Sequence, residues 1–422
     1  MVSGLAANRR NGEDARVSLP SPEELLERVR SLPAGAPLME LLAGANDVYL
    51  VGGAVRDLLL GGRPLDLDLL VEGDPDAVAD RLGSEVVSHD RFGTATVTVG
   101  DASYDIARAR RETYSHPGAL PDVTPATLTE DLERRDFTVN AIAAALGGSR
   151  AGELTAFPGA FEDLDARALR VLHDRSFVDD PTRLLRLARY ASRLGFGIEP
   201  HTRELALNAA RAGGLATVSG PRVGAELRLL VREQDPVTAL RELGALELDR
   251  AIDPRFRLED EALARRALAL LPADGRPDRL ALALAARAIP AGELRALLDS
   301  MGFEATDRDA IIAAATAADG LADRLAAAER PSEIAEAAFG AGPELVALAG
   351  ALGPAESATE WLDRLRHTSL DIDGRDLLAA GVPEGPAVGR GLAAALAARL
   401  DGLARGRDQE LAAALEGAKR SG

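Results

Sequence analysis

Short apolar runs separated by turn-forming residues characterise the chain between about residues 47 and 148. One run covers Val48 to Val51 and ends at a glycine pair, and a second extends from Leu65 to Val71. Polar and apolar residues alternate from Thr94 to Val99, which is the period of a half-buried strand, and residues 103–107 give a further short strand. The pattern predicts a small mixed sheet in this region.

Helical patterns dominate the rest of the chain. Ser21 with Glu24 three residues later is typical of a capping box, which predicts a helix from there to about Leu32. After about Leu164, Ala, Leu, Arg and Glu recur in long segments that Gly and Pro interrupt, without a strict repeat. The predicted fold class is α+β, with a mixed head followed by an all-helical remainder.

The first two apolar runs carry residues suited to phosphate chemistry. Gly52 and Gly53 end the first run, where a backbone without Cβ atoms lets a ligand approach closely. Asp66 and Asp68 lie two positions apart in the second run, so a strand would project both carboxylates from one face. Adjacent carboxylates repel each other, and Mg²⁺ between them relieves this repulsion. Each motif alone is more often a turn or a solvated strand edge, but together they predict a site for Mg²⁺ and nucleotide phosphate.

Composition limits the function classes. The 422 residues suffice for several domains, and the absence of cysteine excludes disulfides and thiolate metal sites. No apolar run reaches the roughly 18 residues of a membrane span, so we expect a cytoplasmic protein without membrane contact. The net charge of −18 opposes a polyanionic partner for the molecule as a whole, although a single groove can still be basic.

Charged residues crowd the segment from Leu128 to Ala144, which we expect to begin a helix that runs into Ile142 and Ala145. They are Asp131, Arg134, Arg135 and Asp136, and Asn140 follows them. Two interpretations stay open at this point. The segment is either a charged, capped helix start, or a site where Arg135 contacts phosphates while Asp136 orients neighbouring groups.

The segment from Phe177 to Phe196 predicts a helix with one arginine-rich face. Its arginines fall within about a third of the helix circumference; they are Arg183, Arg186, Arg189 and Arg193. A solvated basic face is the simplest interpretation, but the pair Asp180 and Arg183 offers another. A carboxylate accepts from the exocyclic amino group of cytosine or adenine while a guanidinium donates to the ring nitrogen beside it. Uracil and guanine present the opposite pattern, so this pair can select C and A without a template.

Several motifs occur in a family's order over residues 49–196, and residues 372–392 match less specifically. They read LVGGAVRDLLLG, DLDLL, RFGTATV, LTEDLERRDFTVNA, FEDLDARALRVL and DDPTRLLRLARYASRLGF. Together they resemble the class II tRNA nucleotidyltransferases, the family of CCA-adding enzymes and bacterial poly(A) polymerases. The resemblance implies an α+β fold whose nucleotidyltransferase-type head precedes an all-α neck, body and tail. The expected divisions are a disordered leader at 1–20, a catalytic head at 21–150, a nucleotide-selecting neck at 151–222, and a tRNA-binding body and tail at 223–422.

The resemblance also implies roles for individual residues. Asp66 and Asp68 match the catalytic carboxylates that hold Mg²⁺. The positions that match nucleotide-contacting residues are Gly53, Arg56, Arg135, Asp180, Arg183, Arg186 and Arg189. Supporting positions are Gly52, Asp57, Asp136 and Asn140, while Asp105 is either a third metal ligand or a structural partner of Arg108 or Arg110. The segment from Glu112 to Pro125 matches a loop that influences addition of the terminal A.

The implied reaction is template-independent addition of CCA to the 3′ end of tRNA, from CTP and ATP, with two Mg²⁺ ions and release of pyrophosphate. A CC-adding enzyme, an A-adding enzyme and a poly(A) polymerase stay open as alternatives. A nucleotidyltransferase acting on small molecules is less favoured because of the long helical region. A non-catalytic helical binding protein would have no reason to keep Asp66, Asp68, Asp180 and Arg183 together. The oligomeric state does not follow from the sequence.

Overall fold

The computed structural model describes residues 19–64, 66–83, 85–89, 94–100 and 102–419. The leader expected at 1–20 lies outside the described residues, except for its last two positions. The chain divides into two compact units. The first contains the residues up to 183 together with 194–217, and the second contains residues 184–193 and those from 218 onwards. The finer division into head, neck, body and tail stays a prediction.

The strands of the described chain are β1 (Val48–Val51), β2 (Leu69–Val71), β3 (Glu85–His89), β4 (Thr94–Val99), β5 (Ala102–Arg108), β6 (Arg110–Thr113), β7 (Asp122–Pro125), β8 (Ile142–Ala145), β9 (Leu154–Ala156), β10 (Ala168–Leu169) and β11 (Gly197–Ile198). The helices of the first unit are α1 (Pro22–Arg30), α2 (Gly35–Leu42), α3 (Gly53–Leu59), α4 (Pro75–Leu82), α5 (Leu128–Glu133), α6 (Ala160–Asp165), α7 (Ser176–Asp179) and α9 (Pro200–Arg211), and α8 (Thr182–Leu194) contains the division between the units. The second unit continues with α10 (Gly220–Val231), α11 (Pro236–Ala245), α12 (Leu248–Ile252), α13 (Glu261–Leu270), α14 (Pro277–Ala285), α15 (Ala291–Ser300), α16 (Ala305–Ala327), α17 (Pro331–Ala337), α18 (Pro343–Ala351), α19 (Ala355–Asp363), α20 (Gly374–Ala379), α21 (Pro386–Leu400) and α22 (Arg407–Lys419).

A mixed sheet forms the centre of the first unit, in the strand order β3-β4-β5-β2-β1-β8-β9. Strands β2 and β5 are parallel, and the other neighbouring pairs are antiparallel. Every residue of β1, β2 and β8 is buried, as expected for central strands that are covered on both faces. The predicted mixed head with an all-helical remainder is therefore confirmed.

The strand predicted from Leu65 to Val71 is wrong in its first half. Strand β2 begins only at Leu69, and both aspartates precede it. The chain nevertheless stays beside β1 at this point, since Asp68 O accepts a hydrogen bond from Val51 N at 3.1 Å. Leu67 is buried, whereas Asp66 and Asp68 on either side of it are exposed. The predicted alternation, with Leu67 on the core side and both aspartates on the other, therefore agrees with the structure. Leu65 lies outside the described residues.

The helix predicted to run through Ile142 to Ala145 is also wrong. Helix α5 ends at Glu133, a 3-10 turn covers Thr138–Asn140, and Ile142–Ala145 is strand β8. Alanine has a high helix propensity, but here the segment lies between β1 and β9, where tertiary pairing overrides that preference. Ala143 and Ala145 pack in one cluster with Tyr49 and Leu132, so these small side chains face the apolar core beneath α5.

The other local predictions agree well with the structure. Ser21 caps α1 with both bonds of the predicted capping box, Glu24 N to Ser21 Oγ at 3.2 Å and Ser21 N to Glu24 Oε2 at 3.0 Å. The predicted strands in the regions of β1, β4 and β5 are present. The region after Leu164 is helical apart from β10 and β11, which form a two-residue parallel pair.

Small residues set the close approach of helices in the second unit. A Cβ atom at Gly417 of α22 would lie 2.3 Å from Ala394 Cβ, and one at Gly391 of α21 would lie 2.8 Å from Ala414 O. The two helices thus touch backbone to backbone, which only glycine permits at these points. Across the part of the chain that the structure describes, no helix combines the length and apolar character needed to cross a membrane.

Candidate active site

The glycine pair after β1 leaves space for an arginine. Gly52 has φ 66° and ψ −131°, a conformation that side chains avoid. A Cβ atom there would lie 3.0 Å from Arg135 Nη1. Gly53 begins α3, and a Cβ atom on it would lie 3.4 Å from Arg56 Nη2. Two guanidiniums thus lie directly against the turn that the sequence predicted to contact a ligand.

Arg56 is held by a buried polar network. Its side chain is 1% exposed, and it donates from Nε and Nη2 to Asp57 Oδ1 at 2.9 and 2.7 Å. Its Nη1 donates to Asn140 Oδ1 at 2.5 Å, and Asn140 Nδ2 donates to Asp136 Oδ1 at 3.0 Å. These two bonds fix which way the Asn140 amide faces. Asp57, Asp136 and Asn140, predicted as supporting residues, therefore determine the position of Arg56.

Three carboxylates lie near the start of β2, where Asp66 and Asp68 precede the strand and Asp105 lies in the middle of the neighbouring β5. The parallel register pairs Leu69 with Ile106, so Asp68 and Asp105, each one residue before this pair, are neighbours. Partial enclosure raises the pKa of the Asp68 carboxyl, the charges of Asp105 and Asp66 raise it further, and Arg135 opposes the shift. Asp105 also accepts a hydrogen bond from Thr96 Oγ1 at 2.7 Å. The site is thus acidic on one side and faces Arg135 on the other.

Arg135 is oriented by Asp131, a carboxylate with no exposed surface. Asp131 Oδ2 accepts from Arg135 Nη2 at 3.0 Å, and Oδ1 accepts from Arg134 Nε at 2.9 Å and from Arg110 N at 3.2 Å. Burial lowers the pKa of the Arg135 guanidinium, and Asp131 counteracts this shift. Within the described residues, Arg135 Nε is buried and has no hydrogen-bond partner. A buried donor without a partner is energetically costly.

The predicted base-reading pair lies at the start of α8. Asp180 Oδ1 accepts from Thr182 N at 3.2 Å and from Thr182 Oγ1 at 2.7 Å, which caps the helix. Arg183 is buried, and it donates from Nη1 to Ser176 Oγ at 2.8 Å and from Nη2 to Arg134 O at 2.6 Å. The second bond joins the start of α8 to the segment that carries Arg135. Pro181 lies directly before the first residue of the helix.

The segment from Glu112 to Pro125, which matches a loop, belongs to the β6–β7 hairpin, and sequence reasoning assigned no individual role to Glu112 or Tyr114 within it. Glu112 Oε1 accepts from Arg134 Nη1 at 2.8 Å and from Arg110 Nη2 at 3.0 Å, while Oε2 accepts from Tyr114 Oη at 2.8 Å. Burial raises the pKa of Tyr114, Glu112 raises it further, and Arg183 opposes the shift, as expected for a side chain close to Arg183. An acidic residue directly after two arginines (RRET, 110–113) was the available signal.

Arg186 and Arg189 belong to the second unit, one and two turns beyond Arg183 on α8. Arg189 Nη2 pairs with Glu226 Oε2 at 3.2 Å, and Arg186 Nη1 with Glu226 Oε1 at 3.5 Å. The Arg189 guanidinium also lies 4.9 Å from the centre of the Tyr190 ring. Arg183 and Arg189 are buried whereas Arg193 is exposed, so the predicted arginine row is a solvated face only towards its C-terminal end. Glu226 was not recognised from the sequence.

The first unit therefore brings most of the predicted site residues into one connected set. The charge of Arg135 acts on Asp68, and hydrogen bonds lead from Arg135 through Asp131 to Arg134 and from Arg134 to Arg183. Such a set combines oxygen ligands for a cation, guanidiniums for phosphates and a polar pair for a base edge. This combination is suited to binding a nucleoside triphosphate with its metal.

Comparison with known proteins identifies the family. The chain is 37% identical over 373 residues to the CC-adding tRNA nucleotidyltransferase of Deinococcus radiodurans, covering 86% of this chain and 87% of that protein. The chain belongs to the class II tRNA nucleotidyltransferases. The resemblance seen in the sequence motifs is thereby confirmed. Members of this tRNA nucleotidyltransferase family are enzymes.

Residues 48–170 match the family model described as the poly A polymerase head domain. Two further similarities, one to a sequence and one to a solved structure, agree with membership of the family. The chain is 45% identical over 221 residues to the A-adding tRNA nucleotidyltransferase of Geobacter sulfurreducens, which is 51% of this chain but only 25% of that protein. The solved structure of the Thermotoga maritima CCA-adding enzyme complexed with tRNA-CCA superposes with a TM-score of 0.75 at 28% identity. The match covers 94% of this chain and 98% of the other.

Proposed function

We propose that the protein adds CCA to the 3′ end of tRNA, using CTP and ATP without a template and releasing pyrophosphate. One observation carries the proposal: the Arg134 carbonyl accepts from Arg183 Nη2, so the segment with the phosphate-facing Arg135 adjoins the pair suited to reading cytosine and adenine. The Thermotoga maritima relative, a CCA-adding enzyme complexed with tRNA-CCA, supports the same substrate class. We include a cytoplasmic location in this proposal.

Membership of the family implies dependence on a divalent metal ion. The donor set fits Mg²⁺, because Asp66 and Asp68 offer exposed carboxylate oxygens and the charge of Asp105 beside them favours a cation. Among the residues that the structure describes, no cluster of three or more His, Asp or Glu side chains forms a ready-made metal site. This agrees with Mg²⁺ chemistry, in which one or two carboxylates act together with substrate phosphates. When bound, Mg²⁺ neutralises the triphosphate and lowers the pKa of the attacking hydroxyl.

The protein's own residues would position the reactants. Arg56 and Arg135 hold phosphate oxygens, and the networks around Asn140 and Asp131 keep both guanidiniums in place before a nucleotide enters. Asp180 and Arg183 receive the Watson–Crick edge of the base. In-line attack by the tRNA 3′-hydroxyl on the α-phosphate needs no covalent enzyme intermediate, so positioning and charge supply the catalysis.

The test is incorporation of labelled CTP and ATP into tRNAs that lack one, two or all three terminal nucleotides. CCA addition extends the shortest tRNA by three nucleotides and stops. Three other outcomes would contradict CCA addition. Extension by two C residues would indicate a CC-adding enzyme, addition of A to tRNA-CC only would indicate an A-adding enzyme, and a long A tail would indicate a poly(A) polymerase.

The variant Asp66→Ala tests the catalytic assignment. It should abolish incorporation and leave the melting temperature within a few degrees, because the Asp66 side chain is exposed. The matched control is Asp76→Ala, which removes an exposed carboxylate from α4 of the same unit. Full activity of Asp66→Ala would refute the assignment.

A further inference from the structure

Residues 240–261 of the second unit enclose a recess of about 380 Å³. Helix α11, helix α12 and the chain leading into α13 form its walls. Its volume lies in the range of small-molecule sites. The charged side chains that line it are Arg241, Arg250, Arg257, Glu247, Asp249 and Glu261. They are separate from the candidate active site in the first unit.

Two of these arginines are available to a ligand. Arg250 and Arg257 are exposed, and neither guanidinium forms a hydrogen bond or an ion pair with any described residue. Arg241 differs, because its Nη2 donates to Glu242 Oε1 at 3.3 Å. Arg276 of the same unit is also engaged, with Asp278 at 2.7 Å. Each free guanidinium presents five donors in a planar fork that matches the oxygens of a phosphate.

A carboxylate forms the acceptor side of the recess. Asp249 is 7% exposed, and its Oδ1 accepts from Arg250 N at 2.8 Å. Its Oδ2 accepts no hydrogen bond from the described residues, and a Cβ atom at Gly244 would lie 3.4 Å from it. This nearly buried oxygen is suited to accept from a hydroxyl group of a ligand.

Charge decides between possible ligands. The lining has equal numbers of arginines and carboxylates, so it gives a nucleoside triphosphate, with about four negative charges, little net attraction. One nucleotide of an RNA strand fits better, because it carries a single phosphate charge. Its 2′-hydroxyl can also donate a hydrogen bond to a carboxylate.

We infer that this recess binds a ribose–phosphate unit of the tRNA backbone, with Arg250 and Arg257 on the phosphate and Asp249 on the ribose hydroxyl. The inference rests on the proposed function, which makes tRNA the substrate. It assigns part of the tRNA-binding surface to defined residues of the helical region, whereas the sequence named no individual tRNA-contacting residue there.

The test compares a double variant, Arg250→Glu with Arg257→Glu, with a charge-matched control, Arg295→Glu with Arg364→Glu. The control arginines are also exposed and lie in the same unit, but they pair with Asp309 and Glu360. Binding of tRNA is measured by filter retention between 50 and 200 mM salt. The recess variant should bind at least about tenfold more weakly than the control, and its salt dependence should fall by about one unit of slope per lost phosphate contact.

Kinetics separate the recess from the active site. The recess variant should raise KM for tRNA and leave KM for CTP and kcat at saturating tRNA within about twofold of the control. Equal tRNA affinity and salt slope in the two variants would overturn the inference, as would a change confined to CTP affinity. If the wild type binds tRNA but transfers no nucleotide, the proposed function fails while the binding comparison still reports on the recess. A wild type that does not retain tRNA would overturn the inference itself.

Discussion

Replacing Gly52 by alanine tests the close fit between the glycine turn and Arg135. The new Cβ atom would lie 3.0 Å from Arg135 Nη1, in a backbone conformation with φ 66°. Gly52 is also tied on both sides, since its N donates to Ile142 O at 3.1 Å and its O accepts from Arg56 N at 3.2 Å. The turn therefore relaxes only by moving Arg135, Arg56 or the end of β1.

The magnitude follows from the cost of such a conformation. A non-glycine residue in a sparsely populated backbone region costs of the order of 1–3 kcal/mol. If the turn relaxes to avoid that cost, the displaced guanidiniums lose a similar amount of phosphate stabilisation. Since about 1.4 kcal/mol corresponds to a tenfold change in rate, we expect kcat/KM for CTP to fall about 10- to 100-fold.

The assay is steady-state incorporation of labelled CTP into tRNA lacking its terminal nucleotides. Gly61→Ala is the matched control, because Gly61 has φ 76° but nothing within 4 Å of its new Cβ atom. It should cost some stability and leave kcat/KM within about twofold of the wild type. In an Arg135→Ala background, Gly52→Ala should lower kcat/KM much less than it does alone, because the guanidinium that the new Cβ atom would contact is absent. Activity of Gly52→Ala within twofold of the Gly61 control would refute the reasoning.

Three further changes probe other parts of the molecule. Arg183→Ala should relax the preference for CTP and ATP over UTP and GTP more than it weakens triphosphate binding, as measured by single-nucleotide incorporation; unchanged selectivity would exclude the base-reading role. Gly417→Ala should destabilise the α21–α22 pair by about 1–3 kcal/mol, because the added Cβ atom meets Ala394 at 2.3 Å, and should lower the melting temperature. Asp278 is buried, which acts to raise its pKa, but hydrogen bonds from Arg276 and Arg232 outweigh this and hold the pKa below the ordinary 3.8. Its stabilisation is therefore present at neutral pH and lost as pH falls through that lowered pKa, so Asp278→Asn should melt earlier than the wild type at pH 7, and the difference should shrink as the pH is lowered below 3.8.

The sequence predicted elements whose stability is local. The capping box at Ser21 and the alternation at Thr94–Val99 agree with the structure because neighbouring residues alone determine them. The helix prediction for Ile142–Ala145 was wrong for the opposite reason. Its alanines favour a helix in isolation, and only pairing with β1 and β9, which are distant in sequence, makes it a strand.

The site shows the same limit. Asp66, Asp68, Asp180 and Arg183 stand out because their chemistry is visible in short motifs. Glu112, by contrast, becomes informative only when the fold brings Arg134 to it from 22 residues away. Glu226 lies 37 residues beyond its partner Arg189. No spacing rule connects such pairs, so side-chain positioning in this site depends on tertiary structure.

The buried contact between Arg56 and Asn140 has a consequence for how such sequences diverge. The two residues are 84 positions apart, yet each satisfies a group that would otherwise be buried without a partner. A change at either position alone leaves its neighbour uncompensated, and a change at Arg56 also removes a group proposed to hold phosphate, so both residues should be retained together in active relatives. For stability alone, mutating both should cost less than the sum of the two single changes.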